Sequence, residues 1–480
     1  MRDLLGVTLS VVLPWVAGTL AVAALRNRAS ERDWLLCAGY GYPIGAFATT
    51  LVMRAVSLLA PLWGLSVVAV PLALLAIGAF LLGRSGEAWN RAWTRSRDAF
   101  GAMPASLRGV LCIGVLLIAV RLAGLAAEVA LRPLLPFDSW TQWSTKALVW
   151  YHYGRIVPFV SPEQWLSTSD PMRFVDSHSG YPGTVPLLQA WTALCIGHWD
   201  ESLINAPWPA LSCALGLAFY AQVRRVGVSP AVAALCTYLL MSLPFLDVQI
   251  ALAGCADLFM AVAYGLAAMA LWQWTLRRER SDAVLALIMT VVAVSLKIEG
   301  MLWALTLLPP VLVSIHRRAG LSTVALVAGA ALLYVFFGPP EVEIFGYILR
   351  TRFSNVSQPL LEHLFLMDNW HLLWYLTIVM VAANYRILLT PALAPMSVTL
   401  LGGLAFVFVV FFFTSAAGGV EDESLVNRLP LHLVPALAFY LVLLWHVRRR
   451  GISPDAAVSS PPRVAGSGDE ALAAGAGGSQ

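Results

Sequence analysis

The sequence predicts an all-α polytopic membrane protein, with about thirteen transmembrane helices and one further re-entrant or interfacial helix. Three observations carry that expectation. Hydrophobic residues make up 59% of the 480, only 12% are charged, and the mean hydropathy is +0.75, far from the balance of a soluble domain. Apolar stretches of about 20 residues, the length of a spanning helix, recur from one end of the chain to the other. Arginine collects in short polar loops that alternate along the chain, as the positive-inside rule requires.

The first apolar segment, LLGVTLSVVLPWVAGTLAVAAL, lacks a basic leader and is followed by RNRASER, so it reads as a retained membrane helix and not as a secretory signal. Arg26, Arg28 and Arg32 place the next loop in the cytoplasm, and RSGEAWNRAWTRSRDAF (84–100) does the same after the third helix. The N-terminus is then outside, and residues 1–107 form an N-terminal set of helices ahead of a module over 108–450. A fourth helix, at 108–127, leads outward to 128–181, the largest polar interruption in the sequence.

PGTVPLLQAWTALCIGHW (182–199) is apolar but short, and a full crossing there would put Arg224 and Arg225 outside. A shallow or re-entrant helix avoids this. The basic groups RRVG, RRERS, HRR, NYR and HVRRR then all become cytoplasmic, and the C-terminus lies inside. The outer loops contain 128–181, the surroundings of Asp247 and Asp257, KIEG (297–300), 338–369 and 416–430. Within 338–369, EVEIFGYILRTRF is too polar to span and should lie along the interface. The tail 451–480, rich in Ala, Gly, Ser and Pro, reads as a disordered cytoplasmic segment.

Several function classes drop out. No GxGxxG or P-loop occurs, so no nucleotide site is suggested, and the bilayer, not nucleic acid, is the expected partner. The six cysteines sit mostly singly in apolar stretches with no CxxC, which indicates packing residues and neither a disulfide framework nor a zinc site.

An ionisable group at membrane depth costs about 2.5–3.5 kcal/mol and needs a partner or a job. Four places on the outer face qualify. In FDSWTQWSTKALVWYHYG, Trp140, Trp143, Ala147 and Trp150 fall on one helical face, with Gln142, Thr145 and Lys146 towards the other. Asp138, just before that helix, either caps it within an ordinary aromatic belt or acts as a general base at the membrane surface. Asp257, in ALAGCADLFMAVAYG, is either an N-cap or a second carboxylate that orients an acceptor or a cation. Lys297, at a break in VVAVSLKIEGMLW, snorkels, pairs with Glu299 or Asp257, or binds a phosphate. Arg428, in SLVNRLPLHLVP, is either a surface anchor or a phosphate fork. His178 and Tyr181, in DSHSGYPG, close the long loop and are candidates for lining the same cavity, with a plain loop role the alternative for His178.

The order of these segments resembles the GT-C superfamily of polytopic glycosyltransferases. The likeness is to the bacterial branch with lipid A aminoarabinose transferases, protein O-mannosyltransferases and lipopolysaccharide-core galacturonosyltransferases. FDSWTQWSTKALVWYHYG, YPGTVPLLQAW, CADLFMAVAYG, LKIEGM and NRLPLHLVP carry it, and together they cover 130–435. The resemblance implies Asp138 as catalytic base, with Asp257 supporting the acceptor or the site geometry; Tyr181 and His178 join that set from their place in the loop alone. It implies Lys297 and Arg428 as ligands of the donor phosphate. The donor would be a sugar on a polyprenyl phosphate, and the acceptor a hydroxyl of a glycolipid, glycan or protein. The site would face the periplasmic side of the inner membrane, with a divalent metal as a possible helper. The chain departs from the family pattern in three ways: three helices precede the one leading into the long loop, Gly183 stands where a second Pro is expected, and Ser139 follows Asp138 where another acid would support a metal. A flippase or transporter of lipid-linked sugars is the rival class, and an O-antigen polymerase or ligase, or a noncatalytic relative, a third.

Overall fold

The structure is a computed structural model and describes residues 1–26, 33–59, 62–83 and 100–450 except 345 and 346, together with 94, 97 and 98. The basic loop with Arg28 and Arg32, most of 84–100 and the tail 451–480 lie outside the described residues. The chain is 74% helical. Among the described residues seven helices are long and apolar enough to cross a membrane, or eight if one bent pair counts as a single span.

Four of the seven precede the long polar segment: α1 (Arg2–Leu25), α2 (Trp34–Leu59), α3 (Leu65–Gly83) and α4 (Ala105–Leu131). Pro14, Pro43 and Pro71 lie inside the first three, as membrane helices tolerate. Only Leu125 and Val129 of the 27 residues in α4 are buried, so its apolar surface is left for lipid.

The long segment then forms a π-turn (Ser139–Trp143), α5 (Ser144–Tyr153) and two two-residue strands, β1 (Phe159–Val160) and β2 (Phe174–Val175), which pair in parallel. Next comes α6 (Thr184–Ile196), whose 13 residues reach about 20 Å. That is too short for a hydrocarbon core of about 30 Å. Eleven of its residues are buried in protein, so its apolar character serves packing.

The module continues through α7 (Pro207–Arg225), the bent pair α8 (Pro230–Met241) and α9 (Pro244–Ala251), and α10 (Asp257–Arg277). Helix α10 is the centre of the fold. Every residue from Asp257 to Gln273 is buried, which fits a helix apolar on all sides. Its 21 residues span about 32 Å. Antiparallel α11 (Arg280–Val294) returns along it, so Lys297, just beyond α11, arrives beside Asp257. Beyond lie α12 (Glu299–Leu305), α13 (Leu308–Ile315), α14 (Arg317–Phe337), α15 (Leu373–Ala383), α16 (Ala394–Phe413) and α17 (Val434–Arg450). Of these, α16 and α17 pack directly on α10, as do α7 and α11.

Two sequence expectations need correction. The fold is not purely helical: EVEI and YILR form an antiparallel hairpin, β3 (Glu341–Ile344) and β4 (Tyr347–Arg350), with Glu341 opposite Arg350. Alternating charged and β-branched residues with period two specify strands. The stripe Trp140–Trp143–Ala147–Trp150 is also broken. Trp143, Ala147 and Trp150 are buried, but Trp140 is 51% exposed, while Lys146 and Gln142 are buried. The Ser144 amide bonds back to the Ser139 carbonyl, an i→i+5 closure, and this wider turn rotates Trp140 off the 3.6-residue face.

Candidate functional site

The site is assembled at the Asp257 end of α10. Gly254, just ahead of that helix, has φ of +112°, and a Cβ there would lie 1.9 Å from the Ser139 hydroxyl. Only glycine lets the turn before α10 press against the π-turn after Asp138. Ser139 is held in turn by Ser144 at 2.9 Å, and Ser144 by Gln189 of α6, which also donates to Asn205 at 2.9 Å. The Gln in YPGTVPLLQAW therefore locks the segment carrying Asp138.

Asp138 stands at the N-cap position of the π-turn and Asp257 is the first residue of α10, but neither caps with its side chain. Instead both carboxylates converge on Arg428, which opens a one-turn helix (Arg428–Leu431) before α17. Arg428 Nε donates to Asp257 Oδ2 at 2.9 Å, Nη2 lies 2.8 Å from the same oxygen, and Nη1 lies 2.7 Å from Asp138 Oδ2. Lys297 Nζ lies 3.0 Å from Asp257 Oδ1 and 3.7 Å from Glu299. The Tyr181 hydroxyl donates to Glu299 at 3.0 Å. Of the three sequence alternatives for Lys297, pairing is the one seen here.

One contributor escaped the sequence reading. His432 Nε2 lies 3.2 Å from Asp257 Oδ1, and the ring is buried. It follows Arg428 by four residues, one helical turn on, and is the one polar residue in the run LPLHLVP. That spacing was the available signal. Asn427, beside Arg428, is fixed by His363 Nδ1 at 2.7 Å and by the Trp370 indole N–H at 3.0 Å, so the segment 338–369 and its sequel buttress the site.

His178 stays at the margin. Its ring is exposed and contacts Ser177 and, at a tilt, the Tyr181 ring, while its carbonyl accepts from Lys146 Nζ at 3.0 Å. Lys146 also pairs with the buried Asp176 at 2.5 Å. Burial pushes the Lys146 ammonium below the ordinary lysine value, and the Asp176 carboxylate works in the opposite direction. The pair pins the end of the outer loop to α5. Gly183 has a local reason as well: a Cβ there would meet the Trp150 ring at 2.5 Å, so the indole occupies the space a proline would need.

A cavity of about 170 Å³ opens on one side of the cluster. Asp257, Lys297, Glu299, Arg428 and His432 line its charged side, while Leu349 of β4, Phe406, Val410 and Phe411 of α16, Leu425 and Leu429 form apolar walls. The Leu349–Thr414 bridge docks the hairpin against the end of α16. Asp138 is not among the lining residues; it meets Arg428 at Nη1 and keeps 30% exposure. Among the described residues no three His, Cys, Asp or Glu side chains form a metal-ligand set. Asp138 and Asp257 both carry Arg428 where a divalent ion would have to compete, so the residues do not fit that group. Comparison with protein-family models, curated proteins and solved structures finds no match for this chain.

Proposed function

We propose that the protein is an inverting glycosyltransferase that moves a sugar from a polyprenyl-phosphate donor to a hydroxyl of an envelope glycolipid, glycan or protein. In this reading the chain crosses the inner membrane about thirteen times, and the site faces the periplasm. One observation carries it: Asp138, Asp257, Lys297 and Arg428, from four separate stretches of sequence, form a single bonded cluster, and Asp257, Lys297 and Arg428 border a cavity whose walls are mostly apolar. That cavity is smaller than the roughly 300–1,000 Å³ of a pocket that encloses a drug-sized ligand. It suits a phosphate head group whose chain stays in the bilayer.

Asp138 takes the proton of the acceptor hydroxyl as its oxygen bonds to the anomeric carbon from the face opposite the phosphate. The bond from that carbon to the phosphate oxygen breaks, and the electron pair leaves with the phosphate, where Lys297 and Arg428 stabilise the growing charge. No covalent intermediate with the protein is needed. The buried charges of the α10–α11 pair sit at its two ends, and α10 carries none between Asp257 and Arg277. That placement supports this reading over a flippase, which would use charge along a path through the bilayer.

Asp138→Asn should lower glycan transfer by about 10²–10⁴-fold at unchanged expression and membrane insertion, read by mass spectrometry of envelope glycans. Full transfer in that variant removes Asp138 as the base. A phosphatase reporter fused near residue 165 should be active outside the cytoplasm; a cytoplasmic signal overturns the orientation.

A further inference from the structure

The charge balance of the cluster runs against simple anion binding. Two cations, Lys297 and Arg428, already face three carboxylates, Asp138, Asp257 and Glu299. A phosphate brought to them unchanged would enter a site whose positive charge is spent. One carboxylate must give way: Glu299 is 9% exposed and holds the Tyr181 hydroxyl, so the choice lies between Asp257 and Asp138.

Asp257 cannot move cheaply. Its side chain is 1% exposed, and both of its oxygens are engaged, by Arg428, Lys297 and His432. Withdrawing it would strand a carboxylate with no route to water. Asp138 touches only the outer Nη1 edge of Arg428 and keeps 30% exposure, so releasing it returns a carboxylate to a solvated setting.

We propose that a lipid phosphate binds by exchange: it takes the Nη1 edge of Arg428 from Asp138, and the displaced Asp138 carboxylate thereby becomes the free base. The inference rests on the glycosyltransferase reading and adds an order to it. While Asp138 Oδ2 is paired with Arg428 it is not a free base, so the donor must arrive before an acceptor hydroxyl can be activated. Arg428 then serves in turn as the restraint on the base and as the ligand of the leaving group. Asp257 holds the guanidinium in place throughout by the Nε–H bond and the Nη2 ion pair, so the exchange moves one side chain and leaves the rest of the cluster as it is.

The test is equilibrium binding of undecaprenyl phosphate, and separately of inorganic phosphate, to the purified full-length protein in neutral detergent. Removing the competing carboxylate should tighten undecaprenyl phosphate binding by Asp138→Asn about fivefold, the worth of one part-exposed ion pair. Asp138→Glu, which keeps the competitor, should bind like the wild type, and Arg428→Gln should lose binding. Asp138→Ser serves in place of Asp138→Asn if the latter fails to fold, as judged by thermal unfolding. The same gain with inorganic phosphate supports the exchange with a free anion as the ligand. Wild-type binding that neither variant strengthens overturns the exchange and leaves the glycosyltransferase reading standing. No binding of either probe by the wild type or any variant overturns both.

Discussion

The two ends of the α10–α11 pair each carry a buried aspartate between two basic side chains, yet they are built differently. At one end Asp282 of α11 binds Arg26 at 2.9 Å and Arg225 at 2.8 and 3.0 Å, with Glu279 within 3.6 and 4.0 Å of the two arginines. Asp282, Arg26 and Arg225 are 0, 2 and 7% exposed. This cluster ties the ends of α1 and α7 to the start of α11. At the other end Asp257 has the same kind of partners, but Arg428 and Asp138 are 21 and 30% exposed and a cavity adjoins them. Both clusters pair charges that would otherwise be unaffordable in an apolar interior. The difference teaches that buried charge alone marks structure, and that incomplete burial beside a cavity marks the candidate site.

Breaking the closed cluster should have the largest effect on the fold. Asp282→Ala takes the nearer of two shared carboxylates from two buried arginines and leaves the more distant Glu279, and should cost about 3–5 kcal/mol, seen as a collapse in the yield of folded, detergent-extracted protein. An unchanged thermal midpoint would mean that the Arg26–Asp282–Arg225 staple carries no weight.

An intermediate effect should separate position from charge. Gly254→Ala keeps every ionisable group but places a methyl against Ser139 at a left-handed backbone position, at a cost of about 1–3 kcal/mol. Glycan transfer should fall more than thermal stability does, because the segment bearing Asp138 is what moves. Equal activity would separate the Gly254 contact from the site.

The smallest change is Tyr181→Phe. It deletes one hydrogen bond to Glu299, worth about 0.5–1.5 kcal/mol, and should reduce transfer several-fold while Asp282 and its partners stay intact. A loss as large as that of Asp138→Asn would give the tyrosine hydroxyl a direct part in the chemistry.

Much of this was legible in the sequence. Apolar length and composition specify membrane helices, because a backbone in lipid must satisfy its own hydrogen bonds. The cost of charge in such a chain singled out Asp138, Asp257, Lys297 and Arg428, and these four converge. Local pattern failed where a short element departed from the common helical period. The π-turn at Ser139–Trp143 turned Trp140 outward, and β3 and β4 took an alternating segment out of the helical set. Periodicity reports which residues share a face only once the winding is known.

Tertiary structure decided the rest. That Asp138 and Asp257 share one arginine, that His432 closes the second oxygen of Asp257, and that Lys146 is buried with Asp176 while His178 stays outside depend on how distant segments pack. No local spacing encodes those contacts. The sequence determined that these charges need partners, since the bilayer supplies none. Folding chose the partners, and with them which charged cluster was sealed and which was left part-exposed beside a cavity.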